Sequence, residues 1–232
     1  MKTAAVVLAA GRGRRMGKGS PKGFLPLGGL PMFLYPVRAL VHVKEVQRIV
    51  VVVPPGWEEK AKGDLRGLGR SPKVVPGGET RQESSLRGLR ALEDWHPDYV
   101  LIHDGARPLL KPEMIRSMLE VAPKAATLAL QATETLVEVE GDHVKRVLDR
   151  SKVRHIQTPQ GFPYREILEA HLRAKEEGFS EATDDATLFL RYGGEVLLLP
   201  GNPYNIKVTH PEDLRIAEAL LEGARALLHP IL

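Results

Sequence analysis

Glycines and basic residues are concentrated in one segment near the start of the chain, from Leu8 to Lys22. The segment reads L-A-A-G-R-G-R-R-M-G-K-G-S-P-K and holds five cations and no acid. Glycines let a backbone approach a phosphate and expose its N–H groups, while arginine and lysine supply the opposing charge. Because a nucleoside triphosphate carries about four negative charges near neutral pH, several cations must converge on it. The segment therefore predicts a phosphate site, with a flexible basic loop as the structural alternative.

The spacing within this segment does not fit two common nucleotide-binding motifs. Met16 stands where the third glycine of the dinucleotide fingerprint G-x-G-x-x-G belongs, and no P-loop pattern G-x-x-x-x-G-K-[ST] can be laid on the sequence. An NAD-dependent dehydrogenase is therefore disfavoured. A nucleic-acid-binding module is a further alternative, but no aromatic residue that could stack on bases is interleaved in the segment.

Two further motifs place polar groups at the ends of predicted elements. The first, Pro76–Ser85, has two glycines before a helix start at which Thr80 and Glu83 can form a capping box. The second is H-D-G-A-R-P, in which Asp104 follows a strand and could hold Mg²⁺ or a sugar hydroxyl. The structural alternative for the second motif is an ion pair between Asp104 and Arg107 that closes a turn.

Three later segments have ordinary structural interpretations. The pair Asp149–Arg150 is typical of an exposed ion pair, and Thr183 or Asp184 is suited to the N-cap of a helix. Lys207 stands among apolar neighbours. This is typical of a surface lysine whose aliphatic stem packs on the protein while its ammonium group reaches water. The histidines show no metal-ligand spacing, and the nucleophile elbow G-x-S-x-G of serine hydrolases is absent from the sequence.

The basic residues are distributed unevenly. Residues 1–44 contain eight Lys or Arg and no Asp or Glu, whereas the other 188 residues contain 25 basic and 29 acidic ones. A local basic site on a nearly neutral chain favours a small polyanionic ligand. A protein that binds duplex nucleic acid more often spreads its positive charge over a long face.

Short β-branched runs alternate with helical stretches along the chain. The predicted strands are Ala4–Leu8, Arg48–Val53, Tyr99–His103, Thr127–Gln131 and Val196–Pro200. The predicted helices are Pro31–Val43, Glu83–Leu92, Pro112–Val121, Tyr164–Glu177 and Pro211–Leu228, and Pro36 indicates that the first begins late or kinks. The alternation predicts an α/β fold, a mostly parallel sheet with helices on both faces, whose ligands bind at the carboxyl ends of the strands. We find no linker, and residues 1–232 are predicted to form a single domain.

One segment interrupts the alternation of strands and helices. Thr135–Val139 and Val144–Leu148 flank the polar turn E-G-D-H, which predicts a β-hairpin arm at about residues 133–152. Because a lone hairpin is marginally stable in water, it needs a partner surface. That surface could belong to its own domain or to a second subunit.

The composition narrows the class of protein. The chain has 232 residues, 43% of them hydrophobic, which is enough for a sizeable core. It has no cysteine, so disulfides and thiolate metal sites are excluded and a reducing compartment fits. Neither a membrane span nor a secretory pattern is found, and we expect a cytoplasmic protein without a membrane partner.

Taken together and in this order, the motifs resemble those of the 2-C-methyl-D-erythritol 4-phosphate cytidylyltransferase family. The matching segments are Ala9–Met16 with Pro21–Lys22, Gly77–Ser84, His103–Pro108, Asp149–Arg150, Thr158–Gln160, Thr183–Ala186 and Asn205–Thr209. The first motif fits many nucleotidyltransferases, whereas seven in register are specific to this family. Tyr204 departs from the pattern, since some members have an acidic residue there.

The resemblance implies a Rossmann-like nucleotidyltransferase fold and a Mg²⁺-dependent homodimeric enzyme. It would transfer CMP from CTP to 2-C-methyl-D-erythritol 4-phosphate and release 4-diphosphocytidyl-2-C-methyl-D-erythritol and pyrophosphate, a step of non-mevalonate isoprenoid precursor synthesis. A sister activity, ribitol 5-phosphate cytidylyltransferase, shares the fold and most of these motifs and is the alternative.

The resemblance also assigns roles to individual residues of this chain. Those implied to hold the nucleotide are Ala9, Ala10, Gly11, Gly13, Gly78, Glu79, Ser84, Asp104 and Gly105, with Arg15 and Lys22 as the catalytic cations. Those implied to hold the acceptor are Asp104, Arg107, Thr135, Arg150 and Lys207, and Asp104 is also the implied metal contact. The hairpin is implied to cross to the other subunit, so that Thr135 and Arg150 serve the partner's site.

Overall fold

The computed structural model describes residues 1–11, 13 and 19–228. Its strands are β1 (Thr3–Leu8), β2 (Pro26–Leu27), β3 (Leu30–Pro31), β4 (Val46–Val53), β5 (Lys73–Pro76), β6 (Tyr99–Asp104), β7 (Ala126–Gln131), β8 (Val137–Glu140), β9 (His143–Val147), β10 (Arg154–Pro163) and β11 (Leu197–Pro200). Its α-helices are α1 (Leu34–Val41), α2 (Glu58–Asp64), α3 (Arg81–Arg90), α4 (Pro112–Glu120), α5 (Tyr164–Glu176), α6 (Asp185–Arg191) and α7 (Pro211–Leu228).

Seven strands form the central sheet, in the spatial order β11-β7-β10-β6-β1-β4-β5. β1 pairs in parallel with β4 and β6, β4 pairs in parallel with β5, and β7 pairs in parallel with β11. Only β10 of this sheet runs antiparallel, between β6 and β7. The predicted fold class, a mostly parallel α/β sheet, is confirmed.

Helices pack on both faces of the sheet. One core contains side chains of α1, α2 and α4, and the other contains side chains of α3, α5 and α6. β1 serves both cores: Ala5 and Val7 face the first, while Ala4 and Val6 face the second. This double burial explains why the strand is a continuous apolar run instead of an alternating one.

The sequence patterns missed five elements, β2, β3, β5, β10 and α2, and misplaced the start of α1. β10 is missing from the prediction because its centre, Gln157–Gln160, is polar although it is buried, and it contains Pro159. The predicted helix Pro31–Val43 begins only at Leu34, because Pro31 belongs to β3. Pro36 then lies in the first turn, where a missing N–H is harmless.

The predicted hairpin is present as β8 and β9, which pair only with each other. Gly141 and Asp142 form a two-residue turn, and Gly141 adopts φ +58°, which suits glycine. Val137, Val139, Val144 and Val147 are each between 39% and 65% exposed. The hairpin therefore leaves its apolar side chains without a covering surface on the described part of this chain.

Gly88 marks the closest approach of α3 to the sheet. A Cβ atom there would lie 2.4 Å from Val6 Cγ1 and 2.9 Å from Val52 Cγ2. We expect Gly88→Ala to lower the free energy of unfolding by about 1–3 kcal/mol through overpacking. Gly63→Ala in α2, where a new Cβ meets nothing within 4 Å, should instead be neutral or raise it by roughly 0.4–1 kcal/mol. Urea titrations check both variants, and equal effects would contradict the tight contact.

Of the helices within the described ranges, none combines the length and the apolar character needed to cross a membrane.

Candidate active site

A cleft of about 510 Å³ opens beyond the carboxyl ends of β1 and β5 and beside the start of α3. Its lining residues are Ala10, Gly11, Gly13, Lys22, Gly78, Glu79, Thr80, Arg81, Ser84, Lys207 and Thr209. They come from the first two sequence motifs and from the segment before α7. The fold thus brings motifs that are almost 200 residues apart to one edge of the sheet, where ligands of such sheets bind.

The loop after β1 folds back on itself at the cleft. The backbone N–H of Lys22 donates to the Gly11 carbonyl at 3.1 Å. Gly13 has φ +65°, and a Cβ there would lie 3.2 Å from Lys22 Cβ, so both conformation and space favour glycine. The predicted catalytic residue Lys22 therefore stands next to two predicted nucleotide-binding glycines. The other predicted catalytic residue, Arg15, lies outside the described residues.

The start of α3 forms a second wall of the cleft. Thr80 caps the helix by accepting from the Glu83 N–H at 3.0 Å, as predicted. The Glu83 carboxylate accepts from the Glu79 N–H at 2.9 Å, one residue before the donor that a standard capping box uses. Ser84 Oγ accepts from the Gly78 N–H at 3.1 Å and donates to the Thr80 carbonyl at 2.9 Å. The turn that carries Gly78 and Glu79 is thereby fixed to the helix.

Asp104, at the end of β6, is held between two cations of the cleft. Its Oδ1 accepts from Arg81 Nε at 3.1 Å, and its Oδ2 lies 2.8 Å from Lys207 Nζ. Burial alone would raise the pKa of Asp104, but the charges of Arg81 and Lys207 outweigh burial and hold that pKa well below its usual range. Asp104 is thus a carboxylate at neutral pH.

Two structural interpretations of the sequence are wrong at this point. Asp104 does not pair with Arg107, whose guanidinium donates to the carbonyls of Asn205 at 2.8 Å and Ile156 at 3.2 Å. Lys207 is not an ordinary surface lysine, because its ammonium group pairs with Asp104. The sequence could not indicate these partners, since Asp104 and Lys207 are 103 positions apart.

Four predicted binding residues lie beneath the cleft instead of on its lining, namely Ala9, Gly105, Arg107 and Asp104, which is 7% exposed. Ala9 is 3% exposed and its N–H donates to the Val52 carbonyl at 2.7 Å. Gly105 donates to the Leu8 carbonyl at 2.9 Å, and Arg107 is 9% exposed. Their contacts with this chain support the floor of the cleft, and their roles toward a ligand stay predictions.

Thr135 and Arg150 lie at the base of the hairpin, and neither belongs to the lining of this chain's cleft. Both are exposed, and Arg150 Nη1 donates to the Thr133 carbonyl at 3.0 Å. The expected ion pair between Asp149 and Arg150 is not formed. Asp149 instead accepts from the Ser151 N–H and hydroxyl and lies 3.9 Å from Lys152.

A buried network that the sequence patterns did not indicate lies behind Asp104. Asp185 accepts from Arg81 Nη1 at 2.7 Å, from Ser85 Oγ at 2.5 Å and from His171 Nε2 at 2.9 Å. Burial would raise the pKa of Asp185, but Arg81 and the hydrogen bonds from His171 and Ser85 together lower it. Arg81 belongs to the motif Pro76–Ser85, yet a single sequence gives no signal that the Arg81 guanidinium bridges two carboxylates.

Thr158 fixes the backbone at the predicted metal contact. Its hydroxyl accepts from the Asp104 N–H at 3.0 Å and lies 3.0 Å from His103 Nδ1. Burial lowers the pKa of His103 to about 4, so this imidazole is neutral at pH 7. Neutral His103 and Thr158 therefore position Asp104 without adding charge.

The described ranges contain no group of three or more His, Asp or Glu side chains that could hold a metal ion by themselves. Asp104 nevertheless offers one carboxylate at the cleft. Mg²⁺ commonly binds through one or two carboxylates together with the phosphates of its substrate, and it keeps several waters. The donor set therefore fits a metal that arrives with a nucleotide and does not fit a resident metal centre.

A mostly parallel α/β sheet whose cation-bearing, glycine-lined cleft opens at the strand ends suits a nucleotide-binding protein, and its likeness to solved cytidylyltransferases places it in the nucleotidyltransferase class. The chain belongs to the 2-C-methyl-D-erythritol 4-phosphate cytidylyltransferase family, whose model matches residues 3–223. It is therefore a cytidylyltransferase of the non-mevalonate route to isoprenoid precursors, as the sequence motifs predicted. This membership decides against the dehydrogenase alternative.

Individual relatives match over nearly the whole chain. The 2-C-methyl-D-erythritol 4-phosphate cytidylyltransferase of Pelotomaculum thermopropionicum is 41% identical, over 98% of this chain and 97% of the relative. The crystal structure of the enzyme with that name from Thermus thermophilus has a TM-score of 0.79 at 35% identity and covers 96% of this chain and 100% of that one. The structure of 4-diphosphocytidyl-2C-methyl-D-erythritol synthase from Anaerococcus prevotii has a TM-score of 0.85 at 28% identity, covering 95% and 96%.

Proposed function

We propose that the cleft transfers CMP from CTP to 2-C-methyl-D-erythritol 4-phosphate, with Lys22 and Arg15 stabilising the transition state. The observation that carries this assignment is the convergence of Lys22, Arg81 and Lys207 on a glycine-lined cleft. Donor and acceptor are both anions, so their mutual repulsion is the main obstacle to reaction. Fixed cations that meet the developing charge relieve this repulsion without needing to reorganise.

The proposed reaction is a displacement at the α-phosphorus of CTP. A phosphate oxygen of the acceptor forms the new P–O bond, while the bond from the α-phosphorus to the bridging oxygen breaks and pyrophosphate leaves with that electron pair. The nucleophile is already an anion, so a general base is not required. Asp104 would in any case be a poor base, because its pKa is held low by Arg81 and Lys207.

The nucleotide is proposed to occupy the wall formed by the two glycine motifs. The backbones of Ala10, Gly11 and Gly13 would face the phosphates and ribose, and Gly78, Glu79 and Ser84 would contact the base and ribose. Gly77 keeps these two walls in contact, since a Cβ there would lie 2.4 Å from Ala10 Cβ. Ala9 and Gly105 shape this wall from beneath.

The acceptor is proposed to lie on the side of Asp104 and Lys207. A carboxylate can accept from the acceptor hydroxyls, and an ammonium can pair with its phosphate. Arg107 would contribute from below, and Thr135 and Arg150 from the arm of a second subunit. When Mg²⁺ is bound, with Asp104 as its protein contact, it supplies additional positive charge at the phosphates.

We propose that the arm pairs with a second copy of this chain in a cytoplasmic homodimer. The support is the exposure of four valines on an otherwise unpaired hairpin. A hairpin of this length is marginally stable by itself, and burial of apolar surface on a neighbour would stabilise it. Thr135 and Arg150, at the base of the arm, do not line the cleft of their own chain.

Complementation between two inactive variants tests the exchange of arms. We expect Lys22→Ala and Arg150→Ala to be nearly inactive separately, because each variant would spoil every site of its own homodimer. A heterodimer would contain one site with both changes and one intact site. Co-refolding equal amounts should therefore restore about one quarter of wild-type activity, since half the dimers would be mixed and half their sites intact.

The activity of the co-refolded mixture decides between the two geometries of the arm. If each arm served its own chain, the mixture would show only the mean of the two variants. A mixture of Lys60→Ala and Arg150→Ala chains is the matched control for refolding, because Lys60 pairs with Asp64 on the surface of α2.

The proposed reaction is tested with the wild-type chain. Calorimetry with CTP and Mg²⁺ should detect binding, and release of pyrophosphate should require 2-C-methyl-D-erythritol 4-phosphate. Ribitol 5-phosphate is the comparison acceptor, and we expect a lower kcat/KM with it. Faster turnover of ribitol 5-phosphate would replace the proposed acceptor, and an absence of CTP binding would contradict the proposal altogether.

A further inference from the structure

Arg81 joins two carboxylates that come from different parts of the chain. Its Nε donates to Oδ1 of Asp104 at 3.1 Å, and its Nη2 lies 3.0 Å from the same oxygen. Its Nη1 donates to Oδ2 of Asp185 at 2.7 Å. The planar guanidinium therefore spans the distance between Asp104, which pairs with the cleft residue Lys207, and Asp185, which is only 1% exposed.

Asp185 is held by donors on two other helices. Asp185 opens α6, Ser85 and Arg81 belong to α3, and His171 belongs to α5. Both carboxylate oxygens of Asp185 are engaged, Oδ1 by Ser85 and His171 and Oδ2 by Arg81. Because its partners are fixed on packed helices, Asp185 has little freedom to turn, and it restricts Arg81 in the same way.

Opposite charges alternate along the contacts from Asp185 through Arg81 and Asp104 to Lys207. Asp185 and Asp104 are anionic, while Arg81 and Lys207 are cationic. Without the charge of Asp185, Arg81 would have one anion left and could turn its Nη1–Nη2 edge toward Asp104. That rotation would compete with Lys207 for the carboxylate, and Lys207 is the member of the network that is half exposed at the cleft.

We propose that Asp185 is a positioning residue for the transfer reaction, which fixes Arg81 and through it the orientation of Asp104 and Lys207 at the cleft. This inference rests on the proposed function of that cleft. His171 and Ser85 belong to the same device, because they hold Asp185 in place. Asp185 itself does not contact the substrate in this scheme.

A double-mutant cycle tests the proposal. We expect Asp185→Asn and Asp104→Asn each to lower kcat/KM for the acceptor by about 10- to 100-fold, the range typical of residues that orient a reactive group. If Asp185 acts through Asp104, the double variant should be close to Asp104→Asn alone. Losses that multiply in the double variant would overturn the proposal, as would full activity of Asp185→Asn.

Two substitutions at His171 provide a matched comparison. Gln places an amide N–H near the position of Nε2 and can still donate to Asp185, whereas Leu has similar size and cannot donate. We expect His171→Gln to retain most of the activity and His171→Leu to lose about as much as Asp185→Asn. Equal activities of the two variants would count against the proposal.

Controls separate positioning from general stability and from the proposed function. Met118→Ala in α4 removes buried apolar volume from the core on the opposite face of the sheet, so its effect on activity should multiply with that of Asp104→Asn. The NMR signals of the Arg81 Nη1 protons, which Asp185 accepts, should be protected from exchange in the wild type and lost in Asp185→Asn. A signal that persists in Asp185→Asn would overturn the positioning role even if the wild type proved inactive with CTP, which would contradict only the proposed function.

Discussion

Lys22→Ala should lower kcat for cytidylyl transfer by about 30- to 1,000-fold, which corresponds to ~2–4 kcal/mol of lost transition-state stabilisation. Lys22 lines the cleft beside Gly11 and Gly13, in the loop where the phosphates are proposed to bind. Its ammonium group would meet charge that develops as pyrophosphate leaves. The loss should therefore fall mainly on kcat, which initial rates at saturating CTP and acceptor measure.

The fold should survive this substitution. Lys22 contributes its backbone to the turn through the bond from its N–H to the Gly11 carbonyl, and Ala keeps that bond. We expect the thermal midpoint of Lys22→Ala to stay near that of the wild type. Lys60→Ala removes a lysine of similar charge from the surface of α2 and should leave kcat unchanged.

The sequence predicts a similar loss for Arg15→Ala. Near-normal kcat in both Lys22→Ala and Arg15→Ala would contradict the assignment of these two cations to the transition state. A large fall in both, with normal folding, would support it.

Asp104→Asn should reduce both activity and stability. The substitution keeps the shape of the side chain but removes the charge that lies between Arg81 and Lys207. We expect the free energy of unfolding at pH 7 to fall by about 1.5–3 kcal/mol, the worth of hydrogen bonds to a charged group. We also expect kcat/KM to fall by about 10- to 100-fold, because Lys207 would lose its partner at the cleft.

The loss of unfolding free energy in Asp104→Asn should depend on pH, and the pKa of Asp104 sets the direction. Folding lowers the pKa of Asp104, so its charge stabilises the folded state fully above the unfolded value of about 3.9. As the pH falls below that value, the unfolded chain takes up the proton first and the stabilisation decreases. The difference in unfolding free energy between wild type and Asp104→Asn should thus be constant from pH 7 to about 5 and smaller at pH 3.

Urea titrations of the two proteins at several pH values provide the measurement. Asp98→Asn is a suitable control, because Asp98 accepts from the Lys2 N–H on the exposed opposite edge of the sheet. A stability difference between wild type and Asp104→Asn that does not change between pH 7 and pH 3 would contradict the pairing of Asp104 as an anion.

The fold class, the hairpin and the family were predictable from the residue pattern alone. Continuous apolar runs such as Ala4–Leu8 predict buried strands, because a strand that is buried on both faces tolerates few polar residues. Thr80 could be placed at the start of α3 because a cap depends on residues three positions apart. The order of the motifs was specific to the family because several short patterns must all occur in the same sequence along one chain.

The contacts that hold the site together arise from the packing of distant segments. β10 was invisible because its buried polar side chains are satisfied by distant partners, as when Gln157 donates to the Asn202 carbonyl. Nor could the sequence show that Asp104 pairs with Arg81 and Lys207 and not with nearby Arg107. Ion pairs depend on distance in space, and the packing of α3 and the segment before α7 against the end of β6 sets those distances.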